Sequence, residues 1–467
     1  MTKRIGPDGP HADKGVRATR RAVATGIVAA ASVAACGGGG GGSSTPAPTG
    51  PTGSSPAPLP GSTSARFPLS APTGRRYLVD ANNAPFLARG DAPWQMINVL
   101  SREDAVRYLD DRASRKFNAI NLQLILNREG VRPPNFYGQS PFTGAPFATP
   151  NEAYFQHADY VLQQAASRGF LIFLCAAWCG ALTLDWYPLM QQAGAATLKE
   201  YGRYIGNRYR SLNNIIWMHG GDTYPPDKSL VTSIVDGIKE VDPVKLHTVH
   251  GNRSSDVLEY WGGSDGAWIN VSSAYTAADD VVPLCAQQYT KPEGRPYYYI
   301  EGWYENERGA TELDLRRQAY QSLLLGACGH MFGNYPMWAL DSGWQNALSS
   351  NGAQHMTRVW DLFLSVRWDL LVPDLNNQFL TGGIGSGANT AVAAVASDRS
   401  FALVYTPQTR TLSVNLGGLA GPAVQARWYN PQTGAFTSAA SSNPAASGNF
   451  NFTPVAGDDW VLVLQSA

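Results

Sequence analysis

Two carboxylates follow buried, strand-like runs of the chain and are candidates for a joint reaction. Asp222 comes shortly after the run 214–219, and Glu301 comes directly after the run 296–300. Hydrolysis of a glycosidic bond needs two such groups, one protonated and one ionised, on either side of the bond. Gly220 and Gly221 also let the chain before Asp222 approach a ligand closely. The sequence therefore predicts an acid–base pair suited to cleaving a sugar linkage.

Amides, imidazoles, acids and indoles occupy the ends of the other strand-like runs. Carboxylates and amides hydrogen-bond to sugar hydroxyl groups, and indole rings stack on the C–H faces of sugars. An isolated acid more often caps a loop or pairs with arginine, but the shared position of these residues favours a binding site. We expect sugar contacts from Asp91, Trp94, Gln123, Trp178, His219, His250, Asn252, Tyr275, Trp303 and Trp338.

Eight apolar runs alternate with amphipathic stretches and must position these residues. The runs are continuous rather than alternating, which indicates strands buried on both faces, as in a parallel sheet flanked by helices. Eight units predict an α/β fold, a (β/α)₈ TIM barrel over residues 66–373, with its chemistry where the strands end. A doubly wound sheet is the alternative, but no G-x-G-x-x-G follows the first strand. The predicted strands are 85–89, 119–126, 170–177, 214–219, 245–250, 267–272, 296–300 and 329–332.

The C-terminal 374–467 has a different pattern. Short runs of alternating hydrophobicity are separated by Gly, Asn, Pro and Ser, which is typical of antiparallel strands. We therefore predict a small antiparallel β-sandwich after the barrel. Its predicted strands are 391–396, 401–406, 411–415, 425–429 and 459–464.

Three short motifs resemble those of a known enzyme family. They are Gly-Asp-Ala-Pro-Trp at 90–94, Trp-Met-His-Gly-Gly-Asp at 217–222 and Tyr-Ile-Glu-Gly at 299–302. Together they resemble the apiosidase-like glycoside hydrolases, whose barrel precedes a sandwich traditionally named a collagen-binding domain. The resemblance implies a retaining hydrolase that removes a terminal sugar from a plant pectic or other complex glycan. It also implies that Asp222 is the acid/base and Glu301 the nucleophile.

The chain departs from related retaining barrels at one of these positions. Such barrels commonly carry Asn-Glu after the fourth strand, whereas this chain has Gly221 and Asp222. Aspartate is one methylene shorter than glutamate, so Asp222 must come closer to the leaving oxygen.

The N-terminal residues have the pattern of an export signal followed by a flexible linker. Arg20 and Arg21 precede an apolar run, 22–35, of the length of a secretory signal, and the pair hints at twin-arginine export. Small residues before Cys36 resemble a lipoprotein cleavage site. We predict a lipoprotein signal peptide over 1–36, lipidation at Cys36 and a Gly/Ser/Pro-rich linker over 37–65. The protein would then be an exported bacterial lipoprotein, periplasmic or on the cell surface.

Charge and spacing exclude several other classes of function. Beyond residue 36 the chain holds 30 basic and 34 acidic residues without a basic stripe, which argues against nucleic acid as partner. His247 and His250 point to opposite faces of a strand, so we predict neither a metal ion nor a cofactor. We expect a monomer. A non-catalytic glycan- or matrix-binding surface lipoprotein is the alternative function.

Overall fold

The computed structural model of the chain describes residues 65–128, 130–180 and 184–467. The predicted signal peptide, Cys36 and the predicted linker as far as residue 64 lie outside the described residues. Within the described ranges, no helix combines the length and the apolar character that crossing a membrane requires.

Eight parallel strands form the sheet of the N-terminal domain, which confirms the predicted barrel. Neighbouring strands pair in the order β5-β4-β3-β2-β1-β8-β7-β6, and a parallel bridge between Thr248 and Val271 links β5 to the start of β6. The strands are β1 Ala88–Asp91, β2 Ala119–Gln123, β3 Leu171–Cys175, β4 Ile215–Gly220, β5 His247–His250, β6 Ser272–Tyr275, β7 Tyr297–Glu301 and β8 Gly329–Phe332.

One helix follows each strand along the chain. The helices are α1 Arg102–Ser114, α2 Glu152–Ser167, α3 Tyr187–Tyr209, α4 Lys228–Val241, α5 Val257–Tyr260, α6 Val281–Thr290, α7 Glu312–Leu324 and α8 Asn351–Leu364, with two further short helices, Met96–Val99 and Trp344–Ala347. The Ser101 side chain accepts a hydrogen bond from the Asp104 amide, and Thr311 forms a capping box with Asp314. Both of these helix starts were predictable from the sequence.

Two predicted strands are displaced in the structure. Pro85–Phe86 pairs with Leu78–Val79 in an antiparallel hairpin, so β1 begins only at Ala88. Residues 267–271 were expected in a strand, but the Ile269 amide bonds to the Gly266 carbonyl in a turn, and β6 begins at Ser272. As a result, β1 ends at Asp91 and β6 ends at Tyr275, two residues that the sequence assigned to the site.

The C-terminal domain is an antiparallel sandwich of two sheets, of six and three strands. Its six-stranded sheet begins at Leu371, ahead of the predicted boundary, because Val372 pairs with Val395. Trp428 and Trp460 are buried in the core between the sheets, as expected from their apolar surroundings. The strands are β9 Leu371–Pro373, β10 Leu380–Gly382, β11 Val392–Ala396, β12 Phe401–Thr406, β13 Leu412–Asn415, β14 Val424–Tyr429, β15 Phe436–Ser438, β16 Asn449–Phe452 and β17 Trp460–Ser466.

A buried ion pair joins the sandwich to the barrel. Arg316 of α7 donates from Nε and Nη2 to the two carboxylate oxygens of Asp459, both at 2.8 Å. The Tyr405 hydroxyl donates to the same carboxylate at 3.1 Å, and its ring stacks on Tyr320 with centroids 4.8 Å apart. Because the charges are paired and hydrogen-bonded, the cost of burying them is largely offset.

The four cysteines of the described residues are buried free thiols, namely Cys175, Cys179, Cys285 and Cys328. Burial raises the pKa of Cys179, Cys285 and Cys328 to about 12. They pack as small apolar residues of the core.

Candidate active site

Glu301 and His250 form the centre of the site at the carboxyl ends of β7 and β5. The Nε2 atom of His250 lies 3.0 Å from Oε2 of Glu301, and its Nδ1 atom lies 3.2 Å from the Gly221 carbonyl oxygen. A carbonyl oxygen only accepts, so Nδ1 carries a hydrogen. The Nε2–Oε2 contact then holds one further proton, which the imidazole and the carboxyl group share.

Asp222 reaches the same point through two glycines that no other residue could replace without displacing the backbone. Gly220 has φ +87°, and a Cβ atom on it would lie 2.3 Å from the His250 carbonyl oxygen. A Cβ atom on Gly221 would lie 2.3 Å from the Gly180 amide nitrogen. Asp222 is exposed, and one oxygen each from Asp222 and Glu301 and a ring nitrogen of His250 all lie within 4.8 Å of one another.

The surroundings of the centre raise the pKa of both Glu301 and His250, in each case against an opposing effect. Burial raises the pKa of Glu301, the His250 hydrogen bond opposes that rise, and the charge of Asp222 adds to it. Burial by itself would lower the pKa of His250, but the hydrogen bond and charge of Glu301, with the charge of Asp222, raise it overall. The proton is therefore held jointly in a pair whose carboxyl group titrates above the ordinary glutamate range.

Aromatic rings enclose His250. Trp178 lies 4.8 Å from the imidazole, Tyr275 lies 4.9 Å from it, and Trp94 lies 6.1 Å from it, measured between ring centroids. The Trp94 Nε1–H donates to the Tyr304 hydroxyl at 2.8 Å. Trp94, Trp178, His250 and Tyr275 were all predicted as sugar-contacting residues, and the structure gathers them in one cluster.

Trp303 and Trp338 lie in the loops that follow β7 and β8, and each carries a guanidinium on its ring. Arg253 lies over Trp303 at 4.7 Å and Arg128 lies over Trp338 at 5.0 Å. The Trp338 Nε1–H also donates to Glu307 Oε1 at 2.6 Å. Both indoles are only partly buried, which leaves surface for a ligand.

The amide oxygens of Gln123 and Asn252 differ in whether the protein already supplies a hydrogen-bond donor. Gln123 ends β2, is 7% exposed, and its Oε1 atom has no hydrogen-bond partner within the described part of the chain. A buried amide oxygen without a partner is costly unless a ligand or water meets it. The Asn252 amide oxygen instead accepts from the Tyr224 backbone at 2.6 Å, so this side chain shapes the loop after β5.

Asp91 and His219 do not join the cluster, which corrects two sequence predictions. Asp91 is 1% exposed and is held by Arg112 Nε at 2.5 Å and by the Tyr108 hydroxyl at 2.6 Å. Its carboxylate is occupied by the protein, so it is not available to a sugar.

His219 is buried on the opposite side of β4 from the barrel interior. Its Nε2 atom lies 3.0 Å from His247 Nδ1, and its ring packs edge-on against Trp268. Trp217, two residues earlier on the same face, contacts Tyr209 of α3. Burial lowers the pKa of His219 to about 3, so the ring is neutral and structural.

Several residues that hold the site were missed from the sequence. Tyr304, Glu307, Arg128 and Arg253 position three of the four predicted tryptophans. Tyr304 and Glu307 follow Glu301 closely in the loop after β7, which was a usable signal for both. The two arginines belong to the loops after β2 and β5, and no local pattern points to their indole partners.

Comparison with known proteins identifies this arrangement. The family model described as "Apiosidase-like, catalytic domain" matches residues 72–369, and the model described as "Putative collagen-binding domain of a collagenase" matches residues 372–465. The chain belongs to the apiosidase-like family. It is therefore a glycoside hydrolase, with a carbohydrate as its substrate. No curated protein sequence matches the chain.

Solved structures share the fold of this apiosidase-like hydrolase. One, described as "Glycoside hydrolase", aligns with a TM-score of 0.75 and 22% identity over 85% of this chain and 97% of the other. A glycoside hydrolase family 5 protein from Bacteroides vulgatus aligns with a TM-score of 0.75 and 23% identity over 86% and 95%. At these identities the likeness concerns the fold.

The trio Asp222, His250 and Glu301 also has the donor types of a cation site. In the apiosidase-like chain, however, the His250 nitrogen that faces the trio is engaged directly with Glu301 at 3.0 Å. A metal ion would have to displace that hydrogen bond and the shared proton. The arrangement therefore fits a proton-sharing pair beside a second carboxylate, and the metal-free site stays a prediction.

Proposed function

We propose that this glycoside hydrolase acts by double displacement with retention of configuration, and that it removes a terminal sugar from a plant pectic or other complex glycan. The observation that carries the mechanism is the approach of Asp222 and Glu301 oxygens to within 4.8 Å. Retaining enzymes separate their carboxyl groups by about 5–5.5 Å, whereas inverting enzymes need roughly 6.5–9.5 Å to admit a water. The choice of a terminal sugar follows the family to which the chain belongs.

In the first step, Glu301 attacks the anomeric carbon as its carboxylate. Protonated Asp222 donates to the leaving oxygen as the glycosidic bond breaks, and a glycosyl ester forms on Glu301. In the second step, Asp222 takes a proton from water, the water oxygen attacks the anomeric carbon, and the ester bond to Glu301 breaks. The sugar leaves with its original configuration, and both carboxyl groups return to their starting states.

The surrounding residues orient rather than react. His250 holds Glu301 through Nε2 and is itself fixed by the Gly221 carbonyl, so the carboxylate is aimed before the sugar binds. Trp94, Trp178 and Tyr275 pack around that imidazole and provide the apolar faces on which a sugar ring stacks.

Separate substitution of the two acids tests the mechanism. Glu301→Gln and Asp222→Asn should each lower turnover of aryl glycosides by at least about 10³-fold, because each removes one required group. Azide should restore turnover of Asp222→Ala on aryl glycosides with good leaving groups, giving a glycosyl azide of retained configuration. If either folded variant keeps wild-type turnover, or if the released sugar is inverted by NMR, the mechanism is wrong.

A screen against defined plant and microbial glycans, with released monosaccharide as the readout, identifies the sugar. Release from chain ends only is expected. Progressive shortening of internal chains without monosaccharide would instead identify cleavage within chains and contradict the proposal.

We further propose that the protein is an exported lipoprotein, anchored through a lipid on Cys36 in the periplasm or on the cell surface, and that it acts as a monomer. The support is the basic, apolar and small-residue pattern of 1–36 and the twin arginines Arg20 and Arg21. Fatty-acid labelling of the full chain should be lost in Cys36→Ser. Retention of label in that variant would contradict lipidation there.

A further inference from the structure

A loop of the sandwich reaches the catalytic end of the barrel. The short turn Gly387–Asn389 lies between β10 and β11, and its Ala388 amide donates to Asp279 Oδ1 at 2.7 Å. Asp279 belongs to the turn Ala278–Asp280, which follows β6 and therefore Tyr275 of the site. Gly387 has φ +55°, and a Cβ atom on it would lie 2.7 Å from the same Oδ1 atom, so a side chain at this position would push the Asp279 carboxylate aside.

Helix α7 connects the same loop to Trp303. Gln321 donates from Nε2 to the carbonyl oxygens of Ala388 at 3.1 Å and Thr390 at 2.9 Å. One turn earlier, Gln318 accepts from the Trp303 amide at 3.0 Å and donates to the Trp303 carbonyl at 2.8 Å. Both glutamines are buried, so their amide groups are committed to these contacts.

The two domains also share a surface at this point. Ala388 of the sandwich and Trp303 of the barrel line one narrow crevice with Ala278. Arg317 of α7 donates to the Asn389 side chain at 2.8 Å. The backbone of Trp303 is thus bonded to α7, and the next turn of α7 is bonded to the sandwich. The Trp303 ring itself packs against the Arg253 guanidinium.

We propose that the loop Gly387–Asn389 is a positioning element of the active site, which fixes Trp303 and the turn Ala278–Asp280 and thereby sets affinity for the substrate part that contacts this wall. The inference rests on the proposed glycosidase function. Asp222, His250 and Glu301 are held by β4, β5 and β7 themselves and not by this loop. Moving the loop should therefore change substrate binding more than the chemical step.

Gly387→Ala tests the proposal, because the added methyl group displaces the Asp279 carboxylate and so disturbs its hydrogen bond with the Ala388 amide. Gly421→Ala is the matched control, since Gly421 has φ +80° but faces only Ala467 and Ser466 of the sandwich. Both variants carry a left-handed alanine and a comparable loss of stability. Kinetics are measured on the defined oligosaccharide that the wild type cleaves fastest and on the 4-nitrophenyl glycoside of the same terminal sugar.

For Gly387→Ala we expect KM for the oligosaccharide to rise about three- to tenfold, with kcat within about twofold of wild type. Gly421→Ala should leave both constants unchanged. The loss in kcat/KM from Gly387→Ala should also be smaller in a Trp303→Ala background than in the wild type, because the two sites act through one contact.

Three results would overturn the proposal. They are an unchanged KM in folded Gly387→Ala, an equal rise in Gly421→Ala, and full additivity with Trp303→Ala. Any of these, found with an active wild-type enzyme, leaves the proposed function intact. Absence of sugar release by the wild type from every glycan and aryl glycoside would overturn the proposed function and this inference together.

Discussion

The Nε2 atom of His250 lies 3.0 Å from Oε2 of Glu301, although β5 and β7, the strands that carry them, are not neighbours in the barrel. The contact spans β6 and brings an imidazole from one strand end onto a carboxyl group from another. Because of this hydrogen bond, the ionisation of Glu301 depends on His250, a residue that takes no part in bond making or breaking.

The pH dependence of catalysis should report this contact. Glu301 must be ionised to attack, so kcat/KM rises with pH through its pKa and is lost below it. Burial raises that pKa above the ordinary 4.5, and the acid limb should lie correspondingly high. Since the His250 hydrogen bond and charge lower the Glu301 pKa, His250→Ala should move the acid limb to higher pH. His250→Gln restores a hydrogen bond but no charge and should fall between; an unmoved limb contradicts the assignment.

Gln123 should contribute to substrate affinity without contributing to stability. Its Oε1 atom is buried and has no partner within the described residues, so Gln123→Met removes no protein hydrogen bond from that oxygen while keeping most of the volume. A sugar hydroxyl that met this oxygen would lose its acceptor, and kcat/KM should fall roughly 10- to 100-fold, or about 1–3 kcal/mol. Chemical denaturation should show wild-type stability. Unchanged kcat/KM would remove Gln123 from the site.

Asp91 should show the reverse behaviour. Asp91→Asn removes the charge that pairs with Arg112 Nε and leaves the buried guanidinium with only the partly exposed Asp111, which lies 2.9 Å from Nη1. Removing one partner of a buried ion pair costs roughly 3–5 kcal/mol, and the remaining pair with Asp111 should keep the loss toward the lower end. The free energy of unfolding should fall, while KM of the folded fraction stays unchanged. The double variant Asp91→Asn/Arg112→Met should recover part of the loss, because it removes the incompletely paired charge. A raised KM with intact stability would return Asp91 to the sugar-binding residues.

The Arg316–Asp459 pair should couple unfolding of the two domains. Asp459→Ala leaves the Arg316 guanidinium buried without its partner, and stability should fall by roughly 3–5 kcal/mol. The neighbouring Asp458 is exposed, so Asp458→Ala serves as the control and should change little. Calorimetry of the wild type should show one transition. Separate barrel and sandwich transitions in the wild type would contradict the coupling.

The positions of the two acids proposed as catalytic were predictable because the carboxyl ends of parallel strands converge in a barrel. Asp222 and Glu301 follow continuous apolar runs, and that placement is sufficient to bring them together. Whether a side chain at a strand end points into the barrel or toward the helices is harder to predict. His219 lies on the outer face of β4 beside Trp217, and the sequence offers no sign of which face looks inward.

Long-range pairing is the other part that sequence could not supply. Asp91 is occupied by Arg112 and Tyr108 from α1, which turns a candidate ligand into a structural anchor. Arg316 and Asp459 are 143 residues apart, and the sequence around either residue does not predict that the two form an ion pair. The start of β6 is displaced because residues 267–271, which were expected in a strand, continue the turn that follows Gly263–Gly266.

The buried thiols bear on where this protein can mature. Cys175, Cys179, Cys285 and Cys328 are protonated at physiological pH, because burial raises the pKa of Cys175 well above its usual range and the pKa values of the other three to about 12. Protonated, enclosed thiols react slowly with oxidants and exchange poorly with disulfides. The described fold therefore contains no disulfide that must be formed or exchanged, and its core thiols are insulated from the redox state of the surroundings.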